Sequence, residues 1–261
     1  MRRVCFLGNS HLAALKLALD EARAAGLLDG IATDTFGSHR ATLATCTIAD
    51  GTLTPTAEAV AKALNWTSGG KDRVVIDAYD DIFVVAGRSP YSLVNYLPPG
   101  ALPPPSRSLY QEVAAAVLSG WAPSLARQLA AAGSARVHFV GEPELSDAAP
   151  FARGLLARAE GMPGQRAALA TRLREIREEI AGAVASVPHG LASVIDFPPA
   201  TLDGFGAFTR HEFCRGSMRL TENLAEAHPP DDFAHMNGAF GRELLRHIGL
   251  LAPVGTGPDA G

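Results

Sequence analysis

The stretch from residue 4 to residue 11 constrains the fold more than any other part of the chain. Residues 4–7 are apolar without a polar break, which is typical of a buried parallel strand. Gly8 and Asn9 end this strand, and helical spacing of apolar residues begins at Leu12. Ser10 therefore lies between a strand and a helix, where the free N–H groups of the helix N-terminus point toward it. This order predicts an α/β fold with Ser10 at the carboxyl edge of the sheet.

Two interpretations of Ser10 are open at this point. Serine is a preferred helix N-cap, because its hydroxyl accepts a hydrogen bond from a free N–H of the first turn. An exposed serine beside backbone donors is also how α/β folds build a nucleophile and part of an oxyanion hole. The first stretch alone favours the N-cap, and the far end of the chain changes that balance.

Length and charge exclude several classes of protein. With 261 residues, 47% of them hydrophobic and 19% charged, the chain is long enough for one large domain with a substantial core. The formal net charge of -4 leaves no basic surplus that would indicate a nucleic acid or an anionic membrane surface as partner. We therefore expect a small-molecule substrate, with no nucleic-acid or membrane partner.

Cysteine usage and the N-terminus predict a cytoplasmic protein. Cys5, Cys46 and Cys214 are far apart and odd in number, which favours free thiols in a reducing compartment. Residues 1–7 imitate the start of a signal peptide, but the polar residues 9–11 interrupt its apolar region. No later segment is apolar for long enough to span a bilayer.

Predicted strands and helices alternate along the chain. The first helix is expected at residues 10–25, a short second strand at 30–33 and a polar loop at 34–40. Residues 82–86 are the strongest candidate for a central strand, and residues 136–140 form another. The alternation indicates an α/β class with a largely parallel sheet.

No convincing domain boundary interrupts the sequence. We predict a single domain over residues 1–252, a helical insertion around 150–187, and a disordered tail at 253–261. The stretch at 88–105 is rich in proline and is read as a loop, and a loop of this length in a compact domain is often functional.

A second informative stretch lies just before the last predicted helix, at residues 237–248. Asp232 and His235 are three residues apart, so the carboxylate can reach the imidazole and hold its tautomer while the other ring nitrogen faces a serine. The alternative is that Asp232 caps a short turn and His235 is incidental. His228 with this pair also resembles a metal-ligand spacing, but no cysteine or further acidic cluster completes a shell, so no metal is predicted.

Taken together, the two stretches resemble the blocks of the SGNH/GDSL hydrolase family. Gly8-Asn9-Ser10-His11 stands where that family has Gly-Asp-Ser-hydrophobic, and Asp232-x-x-His235 matches its last block. The resemblance spans the chain in block order, although only these two blocks are specific. It implies a flavodoxin-like three-layer sandwich with a central, mainly parallel five-stranded sheet. It also implies that Ser10 is the nucleophile, His235 the general base and acid, and Asp232 the orienting carboxylate.

The resemblance also implies an oxyanion hole, and here the sequence departs from the family. One donor would be the Ser10 N–H, and a second is taken from a glycine after the second strand, for which Gly37 is the best match. After the third core strand the family has Gly-x-Asn-Asp, whereas residues 87–90 read Gly-Arg-Ser-Pro. Ser89 thus replaces the asparagine amide with a shorter donor.

Four further residues are candidates for substrate binding. Arg88, Tyr91 and Asn95 are possible replacements for the missing asparagine, and Arg88 is alternatively a partner for an anionic group of the substrate. His11 follows the predicted nucleophile and is expected in the wall of the pocket.

Three functional hypotheses follow. The first is a serine esterase, without metal or cofactor, that hydrolyses small O-acyl esters through an acyl-enzyme, with O-acylated carbohydrates as one candidate substrate. The second is an acyltransferase on the same fold that excludes water. The third is a catalytically weak sugar- or anion-binding homologue, which the missing asparagine motivates.

Overall fold

The computed structural model of this protein describes residues 1–95, 106–160, 165–221, 224 and 226–253. Its strands are β1 (Arg2–Gly8), β2 (Ile31–Gly37), β3 (Thr47–Ala49), β4 (Thr52–Thr54), β5 (Val74–Val75), β6 (Asp81–Val85), β7 (Arg136–Val140) and β8 (Ser193–Ile195). Its helices are α1 (Leu12–Ala24), α2 (Glu58–Ser68), α3 (Arg107–Leu118), α4 (Trp121–Ala132), α5 (Pro150–Glu160), α6 (Gln165–Ser186) and α7 (Gly238–His247).

Five of these strands form a central parallel sheet in the order β2-β1-β6-β7-β8. This confirms the predicted α/β class and the flavodoxin-like three-layer arrangement. Strands β3, β4 and β5 form a separate antiparallel sheet. Because β1 and β6 are neighbours in the central sheet, the residues that follow them, Ser10 and Gly87, lie at the same edge. That edge is where open α/β sheets bind ligands.

The alternation of side chains along β1 divides the core into two layers. Val4 and Phe6 pack with the buried faces of α1 and α7, while Cys5 and Leu7 pack with α2 and α4 on the other side of the sheet. The apolar residues that recur with helical spacing along α1 form an inward stripe, and four of them are buried: Leu12, Leu15, Leu19 and Ala22.

Helices α3, α5 and α6 contribute to a third apolar cluster, together with Phe197, Phe205 and Phe208. The predicted helical insertion at 150–187 corresponds to α5 and α6. The inward face of α6 includes Leu173, Ile176, Ile180 and Val184, which are all buried.

Two glycines allow the close approaches that place the site. At Gly8, a Cβ atom would overlap the carbonyl oxygen of Val85, so glycine lets the end of β1 lie against β6. At Gly241, a Cβ atom would overlap the carbonyl oxygen of Ala14, so glycine lets α7 pack directly on α1. The first approach sets the position of the turn at Ser10, and the second sets the position of the segment that precedes α7.

The structure corrects the predicted boundaries around β2. The strand runs from Ile31 to Gly37, so residues 34–37 are not part of a polar loop. Pairing with the whole of β1 extends it, and its polar side chains have partners: Asp34 accepts a hydrogen bond from Tyr79 Oη, and Thr35 donates to the Thr67 carbonyl. The predicted first helix starts two residues later than expected, at Leu12.

Part of the predicted loop at 88–105 is described, and residues 90–95 form a 3-10 helix. Residues 96–105 and 254–261, which include most of the predicted disordered tail, lie outside the described residues. Within the described part of the chain, no helix is both long and apolar enough to cross a membrane.

Candidate active site

Ser10, His235 and Asp232 form a continuous hydrogen-bonded chain at the carboxyl edge of the sheet. Ser10 Oγ lies 3.0 Å from His235 Nε2, and His235 Nδ1 lies 2.9 Å from Asp232 Oδ2. A carboxylate only accepts hydrogen bonds, so we assign the His235 proton to Nδ1, which leaves Nε2 to accept the hydroxyl proton of Ser10. The chain thus has the order and the tautomer of a nucleophile, a general base and an orienting acid.

Backbone hydrogen bonds fix the segment that carries Asp232 and His235. Asp232 Oδ1 accepts from the backbone N–H of Ala234 at 2.9 Å and of His235 at 3.0 Å. Asn237 then caps α7 by accepting from two backbone N–H groups, and its amide donates to the carbonyls of Glu212 and Arg215. The spacing of three residues thus closes a turn around one carboxylate, whose other oxygen remains for the imidazole.

The position of Ser10 differs from that of a helix N-cap. The cap of α1 is His11, and no side chain makes a capping hydrogen bond there. The side chain of Ser10 contacts His235 instead, across 225 positions of sequence. Among the described residues, the backbone N–H of Ser10 has no hydrogen-bond partner, so it is free to donate to a bound group.

Asn9 and Glu142 tie three chain segments together beneath the serine. Glu142 Oε1 accepts from Asn9 Nδ2 at 2.8 Å and from the Gly87 N–H at 3.1 Å, and Asn9 Oδ1 accepts from the His11 N–H at 3.2 Å. The turns after β1, β6 and β7 are therefore linked through one carboxylate. Asn9, which stands where the family has aspartate, acts here as a donor to that carboxylate.

The ring of His235 is stacked between two other imidazoles. His228 lies on one side, with ring centroids 3.9 Å apart and planes inclined by 11°, and His11 is also stacked with the ring at 4.8 Å and 15°. His228 Nδ1 lies 2.9 Å from Asp232 Oδ2, the same oxygen that His235 contacts. The edge of the His235 ring that carries Nε2 therefore faces Ser10, while its faces are in contact with neutral rings.

The charge state of the site follows from these contacts. Burial by itself raises the pKa of Asp232, but hydrogen bonds from the backbone N–H groups of His235 and Ala234 and from the His235 ring lower it to about 2. Burial lowers the pKa of His11 to about 4, with His235 and His228 adding to the effect. Burial also lowers the pKa of His228. At neutral pH the Asp232 side chain is thus a carboxylate, and the rings of His11 and His228 are neutral.

The structure places two of the three predicted oxyanion donors in contacts of their own. The Gly37 N–H donates to Thr67 Oγ1 at 2.9 Å and is engaged with α2. Ser89 is buried beside Gly141, and its Oγ accepts from the Tyr91 N–H at 3.2 Å. Among the described contacts neither residue has a hydrogen bond to Ser10, whose own N–H is the third predicted donor.

The four predicted substrate-binding residues have different surroundings. His11 lies in the site, stacked on His235, and Arg88 lines a neighbouring cavity with it. Tyr91 is buried under the guanidinium of Arg177, and burial raises the pKa of Tyr91 to about 12. It is therefore part of the third apolar cluster. The side chain of Asn95 is not among those described.

Two cavities lie beside the stacked rings of His11 and His235. One, of about 390 Å³, contains Ser10 and His235 and is also lined by Trp66, Leu220 and Arg219. The other, of about 320 Å³, is lined by His11, Arg88, Glu142 and Ala234 together with apolar side chains such as Phe151 and Phe208. Ser10 therefore opens on the first cavity, and its neighbour His11 opens on the second.

Three side chains of the site carry atoms that are able to ligate a metal ion. His228, Asp232 and His235 each offer a ligand atom, all within 4.8 Å of one another. However, the Nδ1 atoms of His228 and His235 both lie 2.9 Å from the same oxygen of Asp232, which is a hydrogen-bond distance. This geometry is that of two donors on a carboxylate.

Two features of the site were not predicted from the sequence. Glu142 lies two residues beyond the end of β7, so its position after a strand of the parallel sheet is the signal that places it at this edge. His228 precedes Asp232 by four residues, and this spacing by itself indicates only a set of metal ligands. Its contact with Asp232 depends on the turn at Pro229, whose carbonyl accepts from the Asp232 N–H at 3.0 Å.

Comparisons with models of known protein families, with curated proteins and with solved structures found no match to this chain. The function is therefore argued from the geometry of the site.

Proposed function

We propose that this protein is a serine hydrolase of the SGNH type that acts on carboxylic esters with small acyl groups. The observation that supports this proposal is the chain from Ser10 Oγ to His235 Nε2 and from His235 Nδ1 to Asp232, with distances of 3.0 and 2.9 Å. The first distance is one over which a general base takes a proton from a nucleophile, and the second is that of a hydrogen bond from the base to its orienting carboxylate.

The proposed reaction has two steps. Ser10 Oγ attacks the ester carbonyl carbon while its proton passes to His235 Nε2, and the resulting imidazolium donates a proton to the departing alcohol. Water then attacks the acyl-Ser10 ester, with His235 again taking the proton, and the carboxylic acid leaves. Asp232 stays ionised throughout, because its lowered pKa lies well below neutral pH, and it stabilises the imidazolium.

The oxyanion of the tetrahedral intermediate would be held by the Ser10 N–H at the start of α1. In typical hydrolases, removing one donor of an oxyanion hole slows turnover by about 10²- to 10³-fold. Since Gly37 N–H is engaged by Thr67, we expect a slow enzyme unless substrate binding displaces that contact.

A second candidate function is acyl transfer to an alcohol. The two cavities on either side of His11 and His235 provide separate places for an acyl donor and for an acceptor. A sugar or simple alcohol added at increasing concentration distinguishes the two reactions. Transfer yields a new ester in proportion to the acceptor, whereas hydrolysis yields the free acid at a constant rate.

The experiment that tests the proposal is a screen of short-chain acyl esters and O-acetylated sugars with the wild type and with Ser10→Ala. We expect turnover in the wild type, and none above background in a folded Ser10→Ala protein. Turnover that is equal in both would place the reaction elsewhere, and no turnover in either would favour a binding protein.

We also propose a cytoplasmic, reducing location, as the sequence predicts. The supporting observation is that Cys5, Cys46 and Cys214 are free thiols.

A further inference from the structure

The clearest feature of the site that the proposed reaction leaves unused is His228. Its Nδ1 lies 2.9 Å from the Asp232 oxygen that also contacts His235, and its ring lies on that of His235. We infer that His228 is a positioning residue, which holds Asp232 and the His235 ring in the geometry that Ser10 requires. This inference rests on the proposed function.

His228 is itself anchored on both sides. Its backbone N–H donates to the Ser217 carbonyl at 2.8 Å, and the bridge between Met218 and Ala227 holds the preceding residue. Pro229 and Pro230 follow, and the turn at Pro229 returns the chain to Asp232. A side chain between such fixed points can restrain its neighbours, whereas a flexible one could only follow them.

Two restraints act on the catalytic groups. The first is the shared oxygen: with donors from His228 and His235 on Oδ2, and two backbone donors on Oδ1, the carboxylate of Asp232 cannot rotate without losing hydrogen bonds. The second is the stack, which occupies a face of the His235 ring and prevents it from turning about its long axis. Together they keep Nε2 directed at Ser10.

The charges around His228 suit this role. It faces Asp232, His235 and Arg219, and Arg219 is itself paired with Glu226 at 3.3 Å. Burial, with His235 and Arg219 adding to it, lowers the pKa of His228, while Asp232 opposes the shift. A neutral ring donates to Asp232 from Nδ1 without bringing a positive charge next to the imidazolium that forms on His235. His228 Nε2 is buried and has no hydrogen-bond partner among the described residues.

Three variants separate the two restraints. His228→Asn retains an N–H group that can reach Asp232 but lacks the ring. His228→Phe retains a flat ring for the stack but lacks the donor. His228→Ala lacks both. The matched control is His138→Asn, because His138 is also bonded to a buried aspartate, Asp81, and stacked on a ring, that of Phe83, far from Ser10 in the sheet.

The measurement is the second-order rate at which a fluorophosphonate labels Ser10, with the melting temperature of each variant recorded in parallel. We expect His228→Ala to slow labelling by about 10- to 100-fold, because small misplacements of reacting groups have effects of this order. His228→Asn and His228→Phe should each recover part of the rate. With an ester substrate, the loss should fall on kcat, with KM changed by less than about 3-fold.

The outcomes distinguish this inference from the function on which it rests. His138→Asn should lower the melting temperature and leave the labelling rate of the folded protein within about 2-fold, since it has no contact with the site. Wild-type labelling rates in all three His228 variants would overturn the positioning role while leaving the esterase proposal intact. An equal slowing in His138→Asn would also overturn it, because the effect would then follow stability. No labelling of the wild type would contradict the proposed function itself, and the inference with it.

Discussion

Two serine–histidine–aspartate arrangements occupy opposite edges of the central sheet. At the carboxyl edge, Ser10, His235 and Asp232 form the chain described above. At the amino edge, Ser193 Oγ lies 2.8 Å from His138 Nδ1, and His138 Nε2 lies 3.1 Å from Asp81 Oδ1. Residue types and distances are similar, so neither distinguishes a candidate active site from a structural one.

The difference lies in what surrounds each set. Asp81 is fully buried and pairs with Arg2 and Arg136, each at 2.8 Å, so its charge is balanced by two cations. Asp232 has two imidazoles and two backbone N–H groups as partners, with no Lys or Arg side chain among its described contacts. The negative charge of Asp232 is therefore available to stabilise an imidazolium, whereas that of Asp81 already holds three strands together.

The serines differ as well. Ser10 follows a strand, precedes a helix and has a free backbone N–H beside its hydroxyl, in a cavity of about 390 Å³. Ser193 is the first residue of β8 and is paired with His138 in the strand ladder. A nucleophile requires space for the ester and a donor for the oxyanion, and these follow from the sheet edge rather than from the three side chains.

The largest expected effect concerns the two serines. Ser10→Ala should reduce ester turnover by at least about 10³-fold and leave the melting temperature near that of the wild type, because His235 is the one hydrogen-bond partner of the hydroxyl among the described residues. Ser193→Ala should leave turnover unchanged. Steady-state kinetics with matched protein concentrations tests both, and a large loss in Ser193→Ala would break the distinction between the edges.

Substituting the two aspartates should affect different properties, kcat for Asp232 and stability for Asp81. Asp232→Asn should lower kcat on the order of 10³- to 10⁴-fold with a small change in stability, since the amide favours the wrong tautomer of His235. Asp81→Asn should leave kcat per folded molecule unchanged and lower the free energy of unfolding by about 1.5–3 kcal/mol, because the hydrogen bonds that Arg2 and Arg136 donate to a charged carboxylate are lost while both guanidinium groups stay partly exposed to water. Denaturant unfolding alongside kinetics decides between these patterns. A similar loss of kcat in both variants would contradict the expectation that only Asp232 acts in turnover.

The loss of stability in acid should depend more on His11 at the carboxyl edge than on His138 at the amino edge. The pKa of His11 is lowered from 6.5 to about 4, so the unfolded chain binds a proton in this range that the folded protein does not. The free energy of unfolding therefore rises from pH 4 to 6.5, by up to about 3 kcal/mol from this residue. His11→Gln should remove more of this slope than His138→Gln, because the hydrogen bond to Asp81 and the charge of Asp81 oppose the burial that lowers the pKa of His138. Urea unfolding at several pH values measures it, and a slope unchanged in His11→Gln would contradict the expectation.

The smallest effect is expected from Ser193→Ala on stability. In the described part of the chain its hydroxyl makes one hydrogen bond, to the half-buried His138, and losing it should lower the free energy of unfolding by about 0.5–1.5 kcal/mol. A loss of several kcal/mol would show that the amino-edge set is more strongly coupled than its geometry indicates.

The sequence predicts the parts of the site that depend on local order. Ser10 is placed by the change from strand to helix, and Asp232 and His235 by their spacing within one turn. Their contact was an expectation from family resemblance, since it joins distant segments. The sheet order follows from alternation of strands and helices with the same resemblance.

Packing decides the features that the sequence did not predict. Gly37 was expected in a loop, but pairing along the full length of β1 makes it the last residue of β2, where Thr67 engages its N–H. Tyr91 was expected at the site, but its ring joins the cluster around Arg177. The contacts of these two residues depend on which helices cover that edge of the sheet, and a short sequence motif does not predict the arrangement of helices.

The most direct measurement is the site of fluorophosphonate labelling, mapped by mass spectrometry of peptides from the wild-type protein. The geometry predicts an adduct on Ser10 that disappears in Ser10→Ala, with the peptide containing Ser193 unmodified in both. An intact Ser10 peptide under conditions that label a known serine hydrolase, or an adduct on Ser193, would contradict the assignment of the carboxyl edge as the active site.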